Sequence, residues 1–331
     1  MNEPQKLSKD DVLNALLGLC VGDALGVPVE FLSRERLRQS PVTDMIGWGT
    51  HNQRSGTWSD DSSMAFCLAD SLCEGYNLDD IARKFVGWYR DGLWTPYGNV
   101  FDIGIATSSA LHKVAKGKNP LLSGGYGEED NGNGSLMRTL PLVFYIRNLP
   151  IAERYRAVAE VSSITHAHIR SVFACFFYCE YALELLNRTE KQEALRLTQN
   201  RVNAFAEEFK VLDSDEQNLF QRILGLQHGP YADQPLPLLL EEQIASSGYV
   251  LHTLEASLWC LLTTDTYAQA VLKAVNLGKD TDTTGCVTGG LAGMYYGWQT
   301  IPESWTNLIA RREDIVDLAD RLYLAYSGTT R

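Results

Sequence analysis

Two segments of this 331-residue chain carry glycine at a strict interval of four: Gly18, Gly22 and Gly26 in LNALLGLCVGDALG, and Gly285, Gly289 and Gly293 in TDTTGCVTGGLAGMYY. An α-helix turns once every 3.6 residues, so each set forms a stripe along one helical face. A glycine inside a helix costs about 1 kcal/mol against alanine. A stripe of three is therefore tolerated only where packing needs bare backbone. The pattern predicts two buried, closely approached helices and leaves open whether the stripes face each other. Leucine at Gly22 or Gly289 should force such an interface apart, with alanine milder. A membrane-dimer reading of the glycine spacing fails, because Asp23 and Lys279 interrupt or flank segments that are too short to span.

Apolar residues elsewhere also recur at helical spacing, and alternating strand-like runs are nearly absent, which predicts an all-α protein. Ser8 and Asp11 form a capping-box pattern opening a helix from Lys9 to Leu25, and Pro28 ends any continuation. Further helices are expected over Ser62 to Glu74, Leu78 to Trp88, Ile105 to Ala115, Leu136 to Arg147, Ile151 to Ser162 and His168 to Asn187. The rest are expected over Glu190 to Lys210, Ser214 to Leu224, Tyr249 to Leu262, Thr266 to Asn276, Thr283 to Tyr296 and Asp314 to Tyr326. No linker, charge block or repeat divides the chain, so residues 1–331 read as a single domain. The polar stretch 187–246, which includes GPYADQPLPLLLEEQ, reads as peripheral helices and a loop.

With 41 acidic against 29 basic side chains the formal charge is -12, a field that repels nucleic-acid phosphates and anionic membranes. No Lys/Arg cluster relieves it, so nucleic-acid and membrane partners are not expected. Seven cysteines without CxxC or zinc-finger spacing read as buried thiols of a reduced, cytoplasmic protein. The polar N-terminus lacks the apolar run of a signal peptide, and the apolar stretch Val172 to Leu186 is short and broken by Glu180 and Glu184.

Acidic residues crowd two predicted helix starts. Ser59-Asp60-Asp61 precedes SSMAFCLADSL, and Asp280-Thr281-Asp282-Thr283-Thr284 enters the second glycine stripe. Ser and Asp are ordinary caps, and the helix dipole favours acids there. Capping needs one side chain, however, and at the second start Asp280, Asp282, Thr283 and Thr284 compete for the same few N–H groups. Surplus carboxylate and hydroxyl oxygens form a hard ligand set suited to Mg²⁺, Mn²⁺ or Ca²⁺ and poorly suited to zinc, with no need for histidine. A DxDxT string also marks the nucleophile of haloacid-dehalogenase-type phosphotransferases, but that motif ends a buried strand near the start of an α/β domain. Asn131-Gly132-Asn133-Gly134-Ser135 could present backbone N–H groups to phosphate or be a plain turn. Glu30, in Val-Pro-Val-Glu-Phe, is an acid among apolar neighbours.

Taken in order, Gly22-Asp23-Ala24-Leu25-Gly26 with Glu30-Phe31, Trp58-Ser59-Asp60-Asp61, Phe101-Asp102-Ile103-Gly104, Asn131-Gly132-Asn133-Gly134-Ser135-Leu136-Met137-Arg138, Ile164-Thr165-His166, Gly248-Tyr249 and Asp280-Thr281-Asp282-Thr283-Thr284-Gly285 resemble the motifs of the ADP-ribosylglycohydrolases. The resemblance spans about Leu13 to Gly297. It implies a single-domain orthogonal helical bundle with a dinuclear Mg²⁺ or Mn²⁺ centre in a central cleft. Its metal ligands would be Ser59, Asp60, Asp61, Asp280, Asp282 and Thr283. Glu30 and Asp102 would be the catalytic carboxylates, and Gly132, Asn133, Gly134 and Ser135 would cradle the diphosphate. His166 would lie near phosphate or ribose and Tyr249 near the nucleoside.

The implied activity is metal-dependent removal of ADP-ribose from a protein side chain, arginine foremost, or from a small ADP-ribosyl conjugate, by a monomer. The alternatives are a silent ADP-ribose-binding or crystallin-like member and, behind that, a phosphohydrolase. Ser59 and Ser62 stand where many relatives carry Thr, and Lys279 where Gly often stands.

Overall fold

The computed structural model describes residues 6–226 and 234–328. Helix is the regular structure among them: sixteen α-helices joined by short 3-10 turns, three isolated bridge pairs and no β-strand. Ser8 and Asp11 cap each other reciprocally, the hydroxyl accepting from the Asp11 N–H at 3.2 Å and the carboxylate from the Ser8 N–H at 2.8 Å. The helix they open runs Lys9–Gly26 and tightens into a 3-10 turn, Val27–Val29, at the proline.

The two glycine helices, Lys9–Gly26 and Thr281–Tyr296, form the most extensive helix pair of the fold, and their stripes face each other. A Cβ on Gly18 would stand 2.5 Å from the Gly289 carbonyl oxygen, one on Gly22 only 2.0 Å from that of Gly285, and one on Gly26 2.3 Å from the Asp282 backbone. The reverse also holds, with a Cβ on Gly289 2.4 Å from the Gly18 oxygen and one on Gly293 2.1 Å from the Asn14 oxygen. Backbone rests on backbone, so even a methyl group has no room. Two bonds lock the seam: Tyr267 donates to the Gly18 carbonyl at 2.6 Å and Thr281 to the Gly26 carbonyl at 2.8 Å.

The Lys9–Val29 segment is long and apolar enough to cross a membrane, which corrects the expectation that no stretch is. It is instead the central core helix, buried inside the protein over nearly all of its apolar window. Helix Ile169–Leu186 packs against Ile151–Ser163, Lys191–Phe209 and Thr281–Tyr296, within one continuous hydrophobic core that reaches from Leu7 to Leu322.

Two predicted helices differ. The stretch Leu136 to Arg147 is α-helical only over Leu142–Ile146, because Pro141 has no N–H to donate and residues 136–140 turn instead around a buried Arg138. Ser214 to Leu224 breaks into Ser214–Leu219 and Gln221–Leu224 at Phe220, whose buried ring packs edge-on against Phe173 at 5.1 Å. The 187–246 stretch supplies Leu195, Val202, Phe205 and Ile223 to the main core, while 227–233 of its Pro-bearing loop lies outside the described residues.

Candidate active site

The acidic clusters meet because the helices that carry them start at the same place. Ser59 caps helix Asp60–Leu72, its hydroxyl accepting from the Asp61 N–H at 3.2 Å and lying 3.0 Å from Asp61 Oδ2. Asp280 occupies the cap position of Thr281–Tyr296 without capping it; its Oδ2 accepts from the Asn133 amide at 2.8 Å. Asp282 Oδ1 takes the Thr283 N–H at 2.9 Å, and the Thr283 hydroxyl reaches Asp61 Oδ2 at 3.4 Å, joining the two helix starts. Gly26 on the seam abuts the Asp282 backbone, so the glycine packing sets where this carboxylate stands.

Three buried carboxylate oxygens, Asp61 Oδ1, Asp280 Oδ1 and Asp282 Oδ2, have no hydrogen-bond partner. Among the described residues none of Asp60, Asp61, Asp280 and Asp282 pairs with Lys or Arg. Burial, compounded by the neighbouring carboxylates, pushes Asp60, Asp61 and Asp282 well above the usual carboxylate range. Buried like charges with unsatisfied hard oxygen donors fit divalent cations, and they would be costly without them. Asp23, fully buried, lies beneath them. It accepts from the Ser59 N–H at 3.0 Å, the Ser62 N–H at 3.0 Å and the Ser62 hydroxyl at 2.5 Å, and burial lifts it to about 6. Ser62 thus serves Asp23, a task that serine and threonine perform equally well.

A third group arrives on two loops. Gly49, at φ +56, lies where a Cβ would be 1.8 Å from the Pro28 oxygen, so only glycine lets this loop settle on the 3-10 turn before Glu30. The loop delivers His51, whose Nε2 bonds Glu30 Oε2 and stands 4.0 Å from Asp102 Oδ1. One ligand atom from each of Glu30, His51, Asp102 and Asp282 lies within 4.8 Å of the others, a set that could itself hold a metal ion. Burial raises Glu30 to about 7, with Asp102 and Asp280 pushing the same way and the His51 bond opposing. The hydrogen bond to Glu30 raises His51 in turn.

Sequence reasoning missed His51 and assigned no role to Asp23. His51 is a lone histidine in a loop with no motif of its own. Its signal was at most the glycines 47, 49 and 56 around it.

The glycine loop also borders the acids, with Gly134 lying against Thr107 of helix Ile105–Ala115. Asn133 donates its amide to Thr253 at 2.8 Å as well as to Asp280, and its N–H to the Gly248 carbonyl at 3.0 Å, so this side chain ties the loop to the acidic cluster. Gly132 bridges Tyr249. A Cβ on Gly134 would meet His166 Cε1 at 2.8 Å. His166 holds Thr165 through Nδ1 at 2.8 Å, and burial, reinforced by the Arg138 cation, pushes it down to about 3, keeping it neutral. Arg138 is fully buried beneath the loop, donating to the Gly134 carbonyl at 2.8 Å and the Val161 carbonyl at 3.2 Å. The Ser135 hydroxyl faces inward, taking the Ser162 hydroxyl at 2.9 Å and meeting Cys175. Any contact of Ser135 with a ligand therefore falls to its backbone.

The family model described as ADP-ribosylglycohydrolase matches residues 4–331. The chain belongs to the ADP-ribosylglycohydrolase family. It is 33% identical over 322 residues to the ADP-ribosylarginine hydrolase Tri1 of Serratia proteamaculans, covering 97% of this chain and 81% of that one. It is 29% identical over 304 residues to the ADP-ribosyl-[dinitrogen reductase] glycohydrolase of Rhodospirillum rubrum, 89% of each chain. A solved chain of an ADP-ribosylglycohydrolase-related protein complex superposes with a TM-score of 0.76 at 32% identity, covering 96% of this chain and 98% of that one. As a member of this family the chain is a hydrolase of ADP-ribose glycosidic linkages. The phosphotransferase reading of DxDxT loses its ground, since the string opens a helix and no strand precedes it among the described residues.

Lys279, where the family often has Gly, adopts φ +65, the left-handed conformation that glycine enters freely. Its backbone pairs with Phe31 at 2.6 Å and Leu32 at 2.7 Å, which holds the conformation, and its side chain is exposed.

Proposed function

We propose that this chain removes ADP-ribose from arginine side chains of modified proteins, working with two divalent cations, Mg²⁺ or Mn²⁺. The observation that carries the reading is the trio of buried, unpartnered oxygens on Asp61, Asp280 and Asp282, set between Glu30, Asp102 and the glycine loop. Relatives named ADP-ribosylarginine hydrolases support arginine as the acceptor. So does the acidic surroundings of the cleft, which favour a cationic guanidinium.

Asp60, Asp61, Asp280 and Asp282 would hold the cations, with the Ser59 and Thr283 hydroxyls. Divalent cations bound there supply charge that neutralises the cluster and polarises the ribose hydroxyls and water entering it. Glu30 has Oε2 engaged by His51, which leaves Oε1 to exchange a proton with water or leaving group, and its value of about 7 suits general acid–base work near neutrality. The Asp102 carboxylate offsets the oxocarbenium-like charge that develops at the anomeric carbon. Backbone groups around Gly134, neutral His166 and the Arg138 cation beneath receive the diphosphate. The Tyr249 ring borders the nucleoside end.

The test offers arginine-linked ADP-ribose, serine-linked ADP-ribose and a generic phosphate ester to the protein with Mg²⁺, Mn²⁺ or chelator. Metal-dependent release of ADP-ribose from the arginine conjugate is expected. Full turnover in chelator, or turnover of the phosphate ester alone, overturns the reading, and preference for the serine conjugate overturns the acceptor.

A further inference from the structure

Helical spacing places Asp79, Ala82, Arg83, Val86 and Arg90 on one face of helix Leu78–Asp91. Between that face and the end of helix Ile105–Ala115, with the turn that follows it, lies a cavity of about 440 Å³. Small-molecule sites run from about 300 to about 1,000 Å³. The cavity stands apart from the acidic cluster: Val114 and Ala115, which line it, close a helix that opens shortly after Asp102, about 15 Å of helix away.

Its floor is apolar and its rim is cationic. Ala82, Val86, Val114 and Pro120 present carbon to the hollow, and Val86 and Val114 rest on the main core. Arg83, Arg90 and Lys118 line the same hollow against one acid, Asp79. Arg83 shares Asp80 at 2.9 Å, whereas Arg90 and Lys118 have no ion-pair partner among the described residues. These cations come from two elements, so no basic run in the sequence announces them, and they stand together in a chain of formal charge -12.

Cations at helix ends are ordinary, because they answer the dipole, and Arg90 and Lys118 both lie near such ends. At the second end, however, backbone already meets the last carbonyls: the Gly117 N–H donates to Val114 at 2.8 Å and the Lys118 N–H to Lys113 at 3.1 Å. The Lys118 ammonium is therefore free to serve a ligand. Two unpartnered cations over an apolar floor suit a molecule with one apolar face and at least two negative charges. A fatty acid carries a single charge and needs a long channel, which four small side chains do not supply. A phosphate carries the charge, and a guanidinium fork matches its oxygens. We propose that this cavity binds a phosphorylated ring compound of the nucleoside mono- or diphosphate class, with the ring on the apolar floor and the phosphate between Arg90 and Lys118. It is a second site, independent of the function proposed above.

The test irradiates the full chain with the photoreactive nucleotide azido-ADP and maps the labelled peptides by mass spectrometry. Saturable label is expected on residues 78–91 and 111–120, whatever label also falls at the glycine loop. Excess ADP should suppress it and adenosine should not. Arg90→Ala combined with Lys118→Ala should lose label on these two peptides and keep any at the glycine loop, with melting unchanged because both side chains are exposed. In calorimetry on a Gly134→Val background, the same pair of substitutions should weaken ADP binding at least about tenfold, the smaller effect expected of lost charge-assisted contacts. Absence of label from both peptides, label that does not saturate, or label unchanged in the double variant overturns the site. Suppression by adenosine as strong as by ADP overturns the anionic ligand. Suppression by hexaglutamate in preference to ADP assigns the rim to an acidic polypeptide and overturns the nucleotide. None of these readouts uses turnover, so their failure is distinct from failure of the proposed activity.

Discussion

Gly22→Ala tests whether the glycine seam sets the site. The added Cβ would stand 2.0 Å from the Gly285 carbonyl oxygen and 2.7 Å from its carbon. Ordinary contact begins near 3.4 Å, so relief requires the two helices to part by more than an ångström at their closest point. The obstacle is backbone, which cannot rotate away as a side chain would. Overpacking of this kind costs about 1–3 kcal/mol, and more where nothing yields. Better helix propensity returns about 1 kcal/mol. The expected net is a loss of about 2 kcal/mol, or roughly 4 °C of melting temperature for a chain of this size.

The same parting moves Asp282, one turn before Gly285, away from Asp61 and Glu30. Mn²⁺ affinity should therefore fall although no ligand has changed. Gly87→Ala is the control: it sits inside helix Leu78–Asp91, and its Cβ would meet Leu93 Cδ2 at an ordinary 3.6 Å. That variant should match or exceed wild-type stability by up to about 1 kcal/mol. Scanning calorimetry and Mn²⁺ titration on both variants decide. A Gly22→Ala protein with wild-type melting and wild-type affinity, or a Gly87→Ala protein equally destabilised, refutes the reasoning.

Asp282→Asn should abolish turnover and the thermal stabilisation by Mn²⁺, yet melt higher than wild type in chelator, since one of several buried like charges is gone; a lower melting point there would contradict the electrostatic account. Gly134→Val sets a side chain against His166 at 2.8 Å and Thr107 Oγ1 at 2.9 Å, and calorimetry should show ADP-ribose affinity falling at least about tenfold, about 1.4 kcal/mol, with the Mn²⁺ shift retained. Asp23 and Glu30 are raised to about 6 and about 7, so the folded chain without metal holds their protons more tightly than the unfolded chain. Their contribution to stability is full below about pH 4 and lost as pH rises toward 7. Melting in chelator should fall across that window, and Glu30→Gln should flatten the fall; an identical profile in that variant counts against the assignment.

Helical periodicity is local, so the all-α class, most helix positions and the capping box of Ser8 were legible in the chain alone. The glycine stripes announced a need for bare backbone for the same reason, and the surplus acids at two helix starts announced a charge problem that capping does not solve. The sequence could not state that the stripes face each other, which depends on two segments more than 250 residues apart. Nor did it reveal that His51 enters the site, which it does because Gly49 lies against Pro28, or that the Ser135 hydroxyl turns inward toward Ser162 and Cys175. The helix expected over Leu136 to Arg147 failed where a buried guanidinium claimed the Gly134 carbonyl and Pro141 offered no N–H. Spacing along one helix can be read residue by residue; which buried charge meets which oxygen is decided only when distant segments are packed together, because desolvation acts on the assembled neighbourhood and not on the segment.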